Sequence, residues 1–249
     1  MAAMSLRFHE IAESRHRILN PITDAKLDLL GEICRIREGA RQLDLACGKA
    51  EMLSRWSARY GLSGVGVDIS EVFLAAARER AKELGVSDRL TFVHGDAGGY
   101  TTEERFDLVS CIGATWIGGG LTGTLDLMRP MLRPDGLALV GEPYWIGDPP
   151  ASALKEQEGF TTLAGTDDRF EAAGFELVEM VLADPDSWDR YMASQWLTLS
   201  DWLLANPDDA DAPALRDFLR QSRRSHLEYG RQHLGWGVFV LRPKAQDRT

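Results

Sequence analysis

No run of eighteen consecutive apolar residues occurs anywhere in the 249-residue sequence, so no segment reads as a membrane-spanning helix. Cysteine is scarce. Cys34, Cys47 and Cys111 are odd in number and lack a C-x-x-C spacing, which excludes a disulfide framework and a thiolate zinc site and suits a reducing compartment. Basic charge is also short, with 28 Lys and Arg against 38 Asp and Glu and a formal net charge of −10. Nucleic acids and anionic lipid surfaces need clustered cations, so neither is an expected partner. The stretch Met1-Ala2-Ala3-Met4-Ser5-Leu6-Arg7 has neither an apolar core nor a cleavage pattern. No secretory leader is read there, and the expected location is the cytoplasm. Internal repeats and low-complexity linkers are missing as well.

What is present is ample core material, at 44% hydrophobic residues, enough for one large α/β domain or one domain with a cap. Short apolar runs alternate with helical patterns. Strands are expected at Gln42–Ala46, Gly64–Asp68, Leu90–His94, Phe106–Ile112, Leu137–Gly141, Phe175–Leu182 and Val238–Leu241. Helices are expected at Ala25–Ile36, Met52–Tyr60, Glu71–Leu84, Gly123–Leu132 and Thr166–Ala173. Ser70 before Glu71 is a helix N-cap with a first-turn acid, and Arg133-Pro134-Asp135-Gly136 reads as a turn. This alternation predicts crossover units and a doubly wound, seven-stranded, Rossmann-like sheet, mostly parallel with one antiparallel strand. Residues 186–233 break the rhythm with two or three helices, Ser187–Leu204 and about Ala214–His233, separated by Asn206-Pro207-Asp208-Asp209. With residues 1–38 they are expected to form a helical cap over a core of residues 39–185 and 234–249.

The chemistry concentrates where the first expected strand ends, in Leu43-Asp44-Leu45-Ala46-Cys47-Gly48-Lys49-Ala50-Glu51, followed by Val65-Gly66-Val67-Asp68-Ile69. A strand, a small-residue turn, a helix and a second strand ending in a carboxylate place a nucleotide at the carboxyl ends of parallel strands. A dinucleotide needs glycine at the first, third and sixth turn positions so that the backbone can approach its diphosphate. Those positions are Ala46, Gly48 and Glu51, and a glutamate there repels phosphate. S-adenosylmethionine has no phosphate and carries a sulfonium, an ammonium and a ribose diol, which suit Asp44 and Asp68.

From these residues the chain resembles the class I S-adenosylmethionine-dependent methyltransferases, in the manner of a bacterial small-molecule subgroup. Leu43–Ala50 is similar to the family's glycine-rich first motif, with Ala46 and Ala50 where glycine is usual. Gly66-Val67-Asp68-Ile69-Ser70 is similar to its acidic motif, and His94-Gly95-Asp96-Ala97 to its adenine-contacting motif. Phe106–Cys111 and Leu132–Leu137 match the fourth strand and the turn before the fifth. The likeness runs from about Ala25 to Arg242. Ile112–Ile117, Gly141–Trp145 and Trp188–Tyr191 carry the subgroup's character.

The resemblance implies roles for particular residues. Asp68, with Ile69 beside it, would bind the ribose side of S-adenosylmethionine; alternatively Asp68 complements a helix dipole. Asp96 would accept from the adenine amino group and the Ala97 amide would reach the ring, unless Asp96 only caps a turn. Ala46, Cys47 and Gly48 would line the methionine portion through their backbone, and Asp44 would meet its ammonium through water or cap the turn. Cys111 would present its carbonyl rather than its thiol. On the acceptor side, Trp116, Trp145, Trp188 and Tyr191 are candidate binding residues, although such aromatics also serve as packing. His16, Glu142 and Tyr144 are the candidate catalytic groups. The implied reaction is direct in-line methyl transfer to a small-molecule acceptor. The N/D-P-P-Y/F signature of DNA amino-methylases is missing after the fourth strand. A catalytically silent S-adenosylmethionine-binding subunit and a nicotinamide-dependent oxidoreductase are the alternatives, and the pattern assigns no oligomeric state.

Overall fold

The computed structural model describes residues 6–157 and 159–245. The leader and domain-end expectations that reach into residues 1–5 and 246–249 lie partly outside the described residues. Seven strands, β1 (Arg41–Leu45), β2 (Ser63–Asp68), β3 (Leu90–His94), β4 (Phe106–Ile112), β5 (Leu132–Trp145), β6 (Phe175–Leu182) and β7 (Leu234–Pro243), form one sheet in the order β3-β2-β1-β4-β5-β7-β6. Only β7 runs antiparallel, pairing β5 on one side and β6 on the other. The order reverses direction between β1 and β4, so a crevice opens outside their carboxyl ends.

Helices cover both faces, which is why β1, β4 and the second half of β5 are buried on both sides. On one face, α2 (Asp24–Ile33), α3 (Glu51–Tyr60) and α4 (Glu71–Glu83) bury Leu27, Leu30, Leu53, Trp56 and Ala77. On the other, α5 (Leu121–Met128) and α7 (Leu163–Ala172) bury Leu125, Met128 and Phe170 against Val109, Val140 and Phe239. Ser70 caps α4 as expected, its hydroxyl accepting from the Phe73 amide at 3.1 Å. A third, smaller core joins α1 (Leu6–Ala12) to α8 (Pro185–Ala205) and α9 (Ala212–Ser225) through Ala12, Leu199, Leu203, Ala212 and Leu215. No helix among the described residues is long and apolar enough to cross a membrane.

The elements depart from expectation in five places. The helix placed at Gly123–Leu132 ends at Met128, because Pro130 has no amide proton and forces a 3₁₀ turn. Arg133-Pro134-Asp135-Gly136 is not a free turn but a bulge inside β5, since Phe106 faces Leu132 while Leu108 faces Leu137. The helix expected to reach His233 does reach it, but through a π-helical turn, His226–Gly230, before a last short piece, Arg231–His233, and β7 then starts at Leu234 opposite Trp145. Finally, α2 lies against the sheet beside Trp56 rather than in a cap, and a short α6 (Ala151–Glu156) appears that the pattern did not indicate.

Candidate active site

The turn after β1 is built from left-handed backbone, with φ of 54° at Ala46, 55° at Gly48 and 50° at Ala50. Alanine adopts this region at a cost, so packing holds it there. The curl aims the Gly48 amide at Asp68 Oδ2 (2.7 Å) and the Cys47 amide at the Val67 carbonyl (3.0 Å). Asp68 Oδ1 accepts from the Ser70 amide at 2.8 Å. One carboxylate therefore fixes the ends of β1 and β2 together. Asp44 is equally buried and accepts from Ser110 Oγ at 2.6 Å, while Gln42 Nε2 donates to Ser110 at 3.0 Å. Burial pushes the Asp44 carboxyl up to about 7. Neither Asp44 nor Asp68 has a basic side-chain partner among the described residues.

Glu51 does not act as expected. Its carboxylate is gripped by Arg80 of α4 at 2.7 and 2.9 Å, so it joins α3 to α4 and does not guard the turn. What opposes a diphosphate beside this turn is the buried Asp44, since an acid in the place of Asp68 serves the ribose of either cofactor.

Along the crevice, Asp96 Oδ1 accepts from the Gly98 amide at 2.9 Å and caps a 3₁₀ turn, Ala97–Gly99, in which Ala97 is buried. Asp96 itself is exposed. Ile69 and Trp116 flank this stretch with large apolar surfaces open to solvent, 57% and 73% exposed. Cys111 is fully enclosed, and burial raises its thiol, so sulfur is a packing atom there.

The crevice is roofed by the segment between α1 and α2. Lys49, in the middle of the turn, donates to the backbone carbonyls of Glu13 (2.7 Å), Ser14 (3.0 Å) and His16 (2.6 Å). Ser70 Oγ donates to Glu10 at 2.6 Å. Contact is close: a Cβ on Gly48 would stand 2.6 Å from Leu19 Cδ1, and one on Gly113 would stand 2.5 Å from Asn20 Oδ1. Beneath this strap lies a fully buried carboxylate, Glu13, accepting from His16 Nδ1 (2.6 Å), Tyr191 Oη (2.5 Å) and Gln195 Nε2 (2.6 Å). Burial opposes its ionisation, but the His16 and Tyr191 bonds hold its carboxyl below the ordinary range. The His16 ring stacks on Tyr191 at 4.9 Å and 21°.

The remaining candidates separate. Glu142 is buried at the end of β5, accepts from Thr115 Oγ1 and is pushed up to about 7 by burial. Tyr144 is not presented to His16. It sits in the sheet core with its ring against Gly235, and its hydroxyl has no partner among the described residues. Trp145 packs with Phe160 and Tyr229, and Trp188 packs against the sheet. Trp145 ends β5 beneath α6, and Trp188 lies on α8 and packs onto the sheet. So the structure gathers His16 and Tyr191, and separately Asp44, Asp68 and the Ala46–Gly48 turn. Glu13, Lys49, Asn20 and Gln195 belong to the roof although the sequence reading assigned them no role. The three-residue spacing of Glu13 and His16 was the available signal.

Two buried carboxylates without basic partners suit a ligand carrying positive charge and hydroxyl donors. S-adenosylmethionine fits that donor set, and a dinucleotide diphosphate does not. Comparison with known proteins agrees. A methyltransferase-domain family model matches residues 43–136. The chain is 45% identical over 241 residues to the Escherichia coli protein YjhP, covering 94% of this chain and 97% of that one. It is 29% identical over 202 residues to a ubiquinone/menaquinone biosynthesis C-methyltransferase of Ectopseudomonas mendocina, covering 75% and 71%. An S-adenosylmethionine-dependent methyltransferase from Geobacter sulfurreducens, crystallised with S-adenosyl-L-homocysteine, superposes with a TM-score of 0.91 at 47% identity, covering 96% of this chain and 98% of that one. The nicotinamide alternative is set aside by that bound product. With a first-motif turn, an acidic second strand end and a full-length relative holding the demethylated cofactor, this chain belongs to the S-adenosylmethionine-dependent methyltransferases.

Proposed function

We propose that this enzyme methylates a small molecule enclosed between the Glu13–Asn20 strap, α8 and the strand ends. The observation that carries this reading is the strap itself. Lys49 fastens it across the turn after β1, and Glu13 fastens it to α8, so this segment lies over the carboxyl ends of the central strands, a covered arrangement that suits a small acceptor better than a polymer. The quinone-biosynthesis relative, a small-molecule methylase by name, points the same way. Bound S-adenosylmethionine supplies an electrophilic methyl on a sulfonium.

The chain's own residues do the rest. Asp68 takes the ribose hydroxyls on its remaining lone pairs, with Ile69 packing beside them. Asp96 and the Ala97 amide read the adenine. Ala46, Cys47, Gly48 and the Cys111 carbonyl line the methionine portion, and Asp44 balances its ammonium. His16 receives the acceptor's proton through Nε2, which is unpartnered among the described residues. Tyr191 and Trp116 border the acceptor, with Glu142 held in reserve beneath Thr115; Tyr144, Trp145 and Trp188 support the chamber by packing. Enclosure excludes water and holds the acceptor within roughly 3–3.5 Å of the transferring carbon.

The test is calorimetric titration with S-adenosylhomocysteine, followed by a panel of phenols, amines and thiols incubated with methyl-labelled S-adenosylmethionine. Transfer to one chemical class, lost in His16→Ala, supports the reading. Tight cofactor binding with no transfer to any small molecule supports a silent binding subunit instead.

A further inference from the structure

The roof contains a proton-handling pair that nothing in the family motifs demands. Glu13 is fully buried, and its two oxygens accept three donors from two distant parts of the chain, His16 in the strap and Tyr191 and Gln195 on α8. A carboxylate can only accept, so the 2.6 Å contact with His16 requires the proton on Nδ1. A neutral ring protonated at Nδ1 has its lone pair on Nε2. Tyr191 stacks on one face of the ring and also donates to Glu13, so both the ring's plane and its rotation are set. Lys49 holds the His16 carbonyl at 2.6 Å from within the cofactor turn. The imidazole is thereby anchored to the same loop that holds the methyl donor.

Resting on the reading of His16 as the base, we propose that Glu13 is a positioning residue that locks His16 in its Nδ1-protonated form and so commits the enzyme to acceptors with a neutral hydroxyl, phenol or enol. In the step, the acceptor's O–H proton passes to His16 Nε2 and an oxygen electron pair forms the O–CH3 bond. The methyl–sulfur bond breaks with its electron pair remaining on sulfur. The imidazolium that results lies against the Glu13 carboxylate, which neutralises it, and loses its proton to solvent after product leaves. Acceptors with no proton to give, such as tertiary amines, gain nothing from this arrangement. Half-buried Tyr191 and Gln195 keep Glu13 oriented when His16 changes charge.

Two measurements test this. Histidine side-chain 15N NMR on the wild-type protein with S-adenosylhomocysteine bound reads the tautomer directly and needs no acceptor. His16 is expected as the Nδ1–H form; an Nε2–H form overturns the proposal. In Glu13→Gln the carboxylate charge is lost, and the resonance is expected to move toward a mixture of tautomers. Steady-state assays on the phenol arm of the panel are the second measurement. Glu13→Gln is expected to lower kcat about 10²-fold, in the range for a misaligned general base, with KM for S-adenosylmethionine within twofold of wild type. A rise in KM at constant kcat assigns Glu13 to strap closure alone and overturns the positioning role. Transfer confined to tertiary amines overturns the base role while leaving the methyltransferase reading intact.

Discussion

Lys49 is one of the strap's fastenings, and Lys49→Met removes its ammonium, which lies 5.9 Å over the Phe73 ring as well as on the strap. The ammonium donates to three backbone carbonyls at 2.6–3.0 Å. Hydrogen bonds from a charged donor contribute about 1.5–3 kcal/mol each before losses. Two terms oppose them. Partial burial lowers the Lys49 ammonium's tendency to stay charged, and freezing a lysine side chain costs about 2 kcal/mol. Taking the low end of that range because the ammonium is partly desolvated, the net contribution to holding the strap closed is about 2–3 kcal/mol, or roughly 30- to 150-fold in the closing equilibrium. Hydrogen exchange by mass spectrometry measures this directly, because strap amides exchange through local opening rather than global unfolding. Peptides covering residues 10–20 should exchange 30- to 150-fold faster in the variant. Peptides covering β4 should be unchanged, since its ladder with β1 and β5 does not involve Lys49. Strap peptides that exchange at wild-type rates would show that Leu19, Asn20 and the Glu13 cluster hold the roof alone, and the fastening argument would be wrong.

Other outcomes follow from the same geometry. Asp68→Asn should weaken S-adenosylhomocysteine binding by about 2–3 kcal/mol, because an amide cannot accept from the Gly48 and Ser70 amides and the ribose together; unchanged calorimetric affinity refutes the ribose role. Asp44 and Glu142 have ordinary carboxyl values of 3.8 and 4.5, and burial raises both to about 7. The unfolded chain releases these protons near pH 4 while the folded chain keeps them to about 7, so stability should fall as pH rises through that window and level off above it. Asp44→Asn should flatten its share of that slope in urea midpoints. A cationic cofactor draws the Asp44 proton off, so affinity should rise across the same window and lose that rise in the variant. Ala46→Gly relieves a left-handed alanine at φ 54° and should stabilise the fold by roughly 0.5 kcal/mol, the αL cost less glycine's greater freedom when unfolded. A lower denaturant midpoint at constant slope refutes it.

The sheet was legible because its signals are local. Val65-Gly66-Val67-Asp68 and Phe106–Ile112 each mark their own strand, and Ser70 and Gly85 punctuate a helix without reference to distant parts of the chain. The turn after β1 was legible for the same reason, since its acids and small residues lie within one crossover unit. Three things were not local. Glu51 reads as a charge in the turn until Arg80, 29 residues on, is seen to take it. Trp145 reads as a mouth residue until α6 covers it, and Trp188 as a cap residue open to an acceptor until α8 turns it onto the sheet. Glu13 reads as one charge in a polar helix end, because the partners that explain it stand 178 and 182 residues away.

Lys49 is the instructive case, being a cation in a turn whose two acids await positive charge. In the fold its charge is directed away from Asp44 and Asp68 and onto strap carbonyls, which leaves both acids unneutralised. Lys49 therefore ties the strap down across the turn without pairing either carboxylate, which is what the proposed cationic ligand requires of them.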